Sequence, residues 1–293
     1  MMKKSNFLGI VAVIVIAISV SLFAWASMVN LLWTNTSPRA QNPAPTTVVP
    51  EYQKKDTQVL SRPLSARALR VPILMYHHVG PLPEHADQLR EDLTVSEENF
   101  EQQVKWLYEN GYTTVNLEQV YQSSEGRFVL PKKPVVFTFD DGYSDVFTYA
   151  VPILQKYGYA GSFAIITQYV GTADYATWSE ISKAKSGGME IVSHTQNHFD
   201  GSNGKFTPDY IYDNLSGSRK DLSDHLGESS RILIYPYGHY TGLYIDEARK
   251  AGFEMALTVR FGKYVDPENI FEVPRIRVHG HQNFEKFKEN IEK

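Results

Sequence analysis

Pro134-Val135-Val136-Phe137-Thr138-Phe139 runs directly into Asp140-Asp141-Gly142. A largely apolar run of strand length that stops at two acids and a glycine reads as a strand buried on both faces. Such strands belong to mainly parallel sheets covered by helices. The theme recurs outward from this stretch. Val71 to Tyr76, Ala160 to Ile166, Met189 to Ser193, Ile232 to Tyr235, Phe253 to Val259 and Val273 to Val278 are further strand signals. Between them, Ser96 to Asn110, Val146 to Tyr157, Thr207 to about Leu226 and Leu243 to Ala251 carry helical patterns, and a helix closes the chain. Thr207-Pro208 supplies an N-cap with proline in the first turn. Seven or eight strand–helix units in one domain favour an α/β fold of the (β/α) barrel type, TIM-barrel-like, over an open sheet. Barrel sites lie at the C-terminal ends of strands. His77-His78, Asp140-Asp141-Gly142, His194 and Tyr237-Gly238 all fall there.

Adjacent side chains of a regular strand point to opposite faces. Asp140 and Asp141 can line one pocket only if the chain turns, and Gly142 permits a turn. Carboxylates this close repel, so both ionise only near a cation. The next strand is followed by His194-Thr195-Gln196-Asn197-His198. Histidines at i and i+4 share a face of a helical turn. With Asp141 they make a candidate open metal site of two imidazoles and one carboxylate. The metalloprotease pattern H-E-x-x-H would put a glutamate base at position 195, but a threonine stands there. The base must come from elsewhere, and Asp140 is adjacent to Asp141.

Composition excludes several rivals. The 293 residues carry no cysteine, which removes thiol catalysis, thiolate zinc sites and a lipidated cysteine anchor. A net charge of -4 gives no basic field for nucleic acid. Lys3 and Lys4 precede a stretch from Ser5 to Pro38 without an acidic or basic side chain. Its apolar part, Phe7 to Trp33, exceeds the ~20 residues that span a bilayer. Positive charge stays inside, so the remainder is expected outside the membrane. Residues 1–33 are thus a transmembrane anchor or a signal peptide. Ala24-Trp25-Ala26 resembles a cleavage site, whereas apolar residues continuing to Trp33 favour a retained anchor. Residues 34–70, with Pro38, Pro43, Pro45, Pro50 and Pro63, read as an extended linker to a domain at 71–293.

Thr138-Phe139-Asp140-Asp141-Gly142 followed by His194-Thr195-x-x-His198 resembles the first two motifs of the polysaccharide deacetylases, carbohydrate esterase family four, also called the NodB-homology domain. The likeness covers roughly Val71 to Lys293. It implies a distorted (β/α) barrel. It implies Asp140 as catalytic base, with Asp141, His194 and His198 binding zinc or a similar divalent ion, cobalt and nickel being alternatives. It implies removal of N-acetyl groups from an N-acetylglucosamine polymer; peptidoglycan deacetylation, O-acetyl ester cleavage and non-catalytic glycan binding are the rival readings. The expected partner is an acetylated polysaccharide, and the expected state a monomer. The family's third motif usually begins with arginine, but here Ile234-Tyr235-Pro236-Tyr237-Gly238 begins with isoleucine. That leaves the support of the base open, with Arg275 or Arg277 as substitutes. The Tyr237 backbone N–H is expected at the oxyanion. The family's general acid is a histidine, and this chain offers His77 or His279. The early Tyr76-His77 arrangement resembles the subgroup that deacetylates poly-N-acetylglucosamine, which favours His77.

Overall fold

The computed structural model describes residues 67–293 except Asn203. The expected N-terminal membrane or signal helix, and the linker up to residue 66, lie outside the described residues. Among the described residues no helix is long and apolar enough to cross a membrane.

Seven parallel strands close a barrel: β1 (Ile73–Tyr76), β2 (Pro134–Phe139), β3 (Ser162–Ile165), β4 (Glu190–Ser193), β5 (Ile232–Ile234), β6 (Met255–Phe261) and β7 (Val273–Arg277). Each pairs with the next in sequence, and β7 returns to β1 through Ile276↔Leu74 and Arg277↔Met75. A two-residue strand, Thr113–Thr114, adds to the flank of β2. Helices pack outside: α1 (Gln88–Leu93), α2 (Glu97–Glu109), α3 (Leu117–Ser124), α4 (Val151–Lys156), α5 (Trp178–Ser186), α6 (Pro208–Leu226), α7 (Gly242–Lys250) and α8 (Phe284–Glu292).

The period-two alternation of strands sorts the core into layers. Ile73, Val136, Ala164, Val192, Ile234, Leu257 and Val273, one from each strand, fill a cluster inside the barrel. Phe137, Phe139, Phe163 and Ile165 pack outward with residues of α2 and α4. Both faces are therefore buried, which is why β2 reads as a continuous apolar run. The inner face of β2 runs Val136, Thr138, Asp140, so the alternation carries Asp140 to the mouth of the barrel. On β7 the same logic places Arg275 two residues beyond Val273.

Three local features differ from the sequence expectations. Val146–Ala150 is a π-helical turn leading into α4, not regular α-helix. Helices α1 and α3 lie outside the helical patterns read from the sequence; both are capped, Asp87 accepting from the Arg90 amide and Asn116 closing a capping box with Gln119. Leu69 and Arg70, assigned to the linker, pair antiparallel with Tyr264 and Val265 and belong to the folded domain.

Candidate active site

Three strand-end loops converge at the C-terminal rim. After β2 the backbone turns left-handed at Asp141 (φ 75) and Gly142 (φ 84). That turn is what lets two successive carboxylates approach one pocket. After β4, Thr195 (φ 68) and His198 (φ 59) are left-handed as well, so the two histidines do not share a helical turn. The turn expected from their i, i+4 spacing is replaced by a kinked loop. It is pinned by the Thr195 amide donating to Ser193 Oγ (3.1 Å) and the His198 amide donating to Thr195 Oγ1 (3.0 Å). After β5, Tyr237 has φ 58. Of five non-glycine residues with positive φ among the described residues, four are in these loops. Backbone strain of about 1–3 kcal/mol per residue is thus concentrated at one place.

The loops bring Asp141, His194 and His198 together, with one potential ligand atom of each lying within 4.8 Å of the others. Asp141 Oδ1 is 3.1 Å from His194 Nε2 and 3.3 Å from His198 Nε2. His194 Nδ1 lies 2.8 Å from the Ile234 carbonyl, which can only accept, so Nδ1 carries the proton. Its Nε2 lone pair then faces a carboxylate oxygen. That donor set fits a divalent cation, and the Ile234 carbonyl is the outer partner that orients a metal-binding imidazole. Burial pushes the Asp141 carboxyl up, but the adjacent His194 and His198 imidazoles override it and hold Asp141 well below the usual range. Burial pushes His194 down, yet the Asp141 and Asp140 carboxylates leave it raised.

Asp140 has a different environment. Arg275, fully buried, clamps it through Nη1 to Oδ1 (2.7 Å) and Nη2 to Oδ2 (2.8 Å). The guanidinium is itself fixed by Nε donating to the Thr258 carbonyl (2.9 Å) and Nη1 donating to Thr138 Oγ1 (3.0 Å). Burial raises the Asp140 carboxyl, but the Arg275 charge and hydrogen bonds prevail and hold it below the ordinary value. Arg275, from β7, thus occupies the supporting place left open by Ile234. Arg277 turns instead to Asp92 (3.3 Å).

His77, at the end of β1, is partly buried and coupled electrostatically to Asp141 and Asp140; burial pushes it down to about 4. His279 stands at the end of β7, where its Nδ1 is 2.9 Å from Asp92 Oδ1. His78 is buried, held by Asp145 (2.8 Å) and stacked on Tyr143 with ring centroids 3.8 Å apart. The Tyr237 ring is 55% exposed and lies against His198 at 4.6 Å. Trp178 stacks on His225 at 4.1 Å as part of the helix packing, whereas Tyr175 lies 4.9 Å from Tyr143. Two contributors escaped sequence reasoning. Tyr143 directly follows Gly142, and burial together with the Asp141 carboxylate pushes its phenol up. Thr138 is the one hydroxyl in the β2 run, and that was its available signal.

A barrel whose rim carries one carboxylate locked to arginine, and another shared by two imidazoles, has the parts of a metal-assisted hydrolase. Comparisons narrow the class. The profile of the family described as "Polysaccharide deacetylase" matches residues 129–256. YxkH of Bacillus subtilis, whose name assigns it to the polysaccharide deacetylases, is 28% identical over 82% of this chain and 83% of its own. A poly-beta-1,6-N-acetyl-D-glucosamine N-deacetylase of Escherichia coli O157:H7 is 28% identical over 74% of this chain, which spans only 38% of that protein. The protein of the same name in Staphylococcus aureus is 28% identical over 63% of this chain and 68% of its own. Among solved structures, the Streptococcus pyogenes deacetylase PplD in complex with acetate superposes with a TM-score of 0.70, 26% identity, and 77% and 99% coverage. The polysaccharide deacetylase BC0361 of Bacillus cereus does so at 0.68, 28% identity, and 77% and 70% coverage. Residues 129–256 carry a polysaccharide deacetylase domain. The chain is an enzyme of that carbohydrate-deacetylating class.

Proposed function

We propose that this protein is a divalent-metal-dependent N-deacetylase acting outside the cell on an N-acetylglucosamine polymer, poly-beta-1,6-N-acetylglucosamine foremost. The observation that carries it is the division of two adjacent carboxylates: Asp140 gripped by Arg275, and Asp141 shared with His194 and His198. The E. coli and S. aureus relatives that bear the name of that activity support the choice of polymer. Zinc is the favoured ion for Asp141, His194 and His198, although such a set also takes cobalt or nickel.

A cation held there supplies Lewis acidity, polarising the amide carbonyl and acidifying a water. Asp140, ionised and oriented by Arg275, takes the proton of the attacking water. The Tyr237 amide donates to the oxyanion as the carbonyl becomes tetrahedral. His77 then protonates the leaving nitrogen. Because burial keeps His77 neutral at pH 7 in the free protein, the proton it delivers is one taken up during turnover. Asp140 gives up the proton it took from the water, which reaches the leaving nitrogen through His77 as the C–N bond breaks, and the products are acetate and a glucosamine unit. Lys3, Lys4 and the uncharged stretch after them support export, with a retained membrane anchor favoured over a cleaved signal peptide. We propose a monomer.

Acetate release from poly-beta-1,6-N-acetylglucosamine, chitin oligomers and peptidoglycan, each with defined metals, tests the reading. Preference for the first polymer is expected. Release from peptidoglycan alone would move the substrate, and release only from O-acetylated glycans would overturn N-deacetylation.

A further inference from the structure

A cavity of about 720 Å³ adjoins the candidate active site, within the ~300–1,000 Å³ typical of small-molecule sites. It lies between the C-terminal end of β6, β7 and α8, on the rim that carries the candidate active site. Arg275, whose guanidinium holds Asp140, lines it too. So does Arg277, two residues further along β7, where the strand pairs with β1 just before His77.

Its chemistry is that of a sugar site. Phe261 lines it, is 66% exposed, and stands outside the hydrophobic clusters of the core. A flat apolar ring open to water suits the C–H face of a pyranose. Around it stand Asp92, which pairs with Arg277, His279 and His281, and the polar side chains of Gln282, Asn283 and Lys286. Two donors on lining residues, Arg277 Nε and Gln282 Nε2, are shielded from solvent and have no acceptor. Buried donors without acceptors are costly, and an acceptor-rich ligand relieves that cost. The hydroxyls and amide carbonyl of an acetylated sugar are such acceptors.

We infer that this cavity binds a further N-acetylated sugar unit of the polymer, separate from the unit undergoing deacetylation. The inference rests on the polysaccharide substrate proposed above. It makes Phe261 and Lys286 determinants of chain-length preference that take no part in the chemistry.

Calorimetric titration of the full-length Asp140→Asn protein with beta-1,6-linked N-acetylglucosamine oligomers of increasing length is the test. Affinity should rise with length. Phe261→Ala, at an exposed position, should weaken long oligomers about tenfold, the size of one aromatic contact, and leave the shortest unchanged. Lys286→Ala should weaken long oligomers less. The active enzyme carrying Phe261→Ala should show a raised KM on long oligomers with kcat kept. Length dependence that survives Phe261→Ala would overturn the subsite. Length-dependent binding lost with Phe261→Ala, combined with no acetate release from any polymer, would overturn the deacetylase reading and leave the subsite standing.

Discussion

Asp140 and Asp141 are neighbours in sequence, yet their surroundings are opposite in kind. Arg275 saturates one with a planar, two-pronged clamp, and two imidazoles share the other. Removing the arginine would leave a buried carboxylate without a partner. Arg275→Met should therefore destabilise the fold by about 3–5 kcal/mol, read by urea unfolding at pH 7. Arg275→Lys should recover little, because an ammonium cannot reproduce the bidentate geometry. The pH dependence follows in sign. Asp140 ionises more readily folded than unfolded. Its stabilising share is complete above the ordinary carboxylate value of ~4 and disappears as pH falls through the lower folded value. The stability gap between wild type and Arg275→Met should accordingly narrow in acid; a constant gap would contradict the clamp. His77→Ala should reduce kcat by roughly 10²–10⁴-fold, and His279→Ala should leave it within a few fold. The reverse order would transfer the acid role to His279.

Elements position these residues through loops that a sequence reveals unevenly. β2 was legible to the residue because an apolar run ends sharply at Asp140. The start of α6 at Pro208 was legible because Thr207 caps it and proline cannot sit deeper. The His194–His198 loop was not, because spacing alone cannot separate a helical turn from two left-handed residues fixed by Ser193 and Thr195 hydroxyls. The Asp140–Arg275 pair was legible only as one of two options, since its members lie 135 residues apart and meet only when the barrel closes. The turn after β2 depends on Gly142, where an added Cβ would lie 3.1 Å from Ile165 Cδ1 at positive φ. Gly142→Ala should cost about 1–2 kcal/mol and lower metal affinity together with stability, measured by thermal unfolding and chelator competition. Unchanged metal affinity would mean that the turn does not set the position of Asp141.

At the scale of the molecule, the seven-stranded closure is what lets residues from β1, β2, β4, β5 and β7 meet at one rim. The interior below is an apolar cluster with at least one side chain from every strand. That arrangement divides stability at the barrel centre from chemistry at the strand ends. It also accounts for a site that survives the loss of the usual motif-three arginine: a neighbouring strand on the same rim can supply the guanidinium. The most direct measurement is metal content and acetate release determined together on purified Asp140→Asn and His194→Ala. Asp140→Asn should keep its metal and lose activity by roughly 10²–10⁴-fold, and His194→Ala should lose both. An active Asp140→Asn enzyme, or a His194→Ala protein that retains tightly bound metal, would contradict the account.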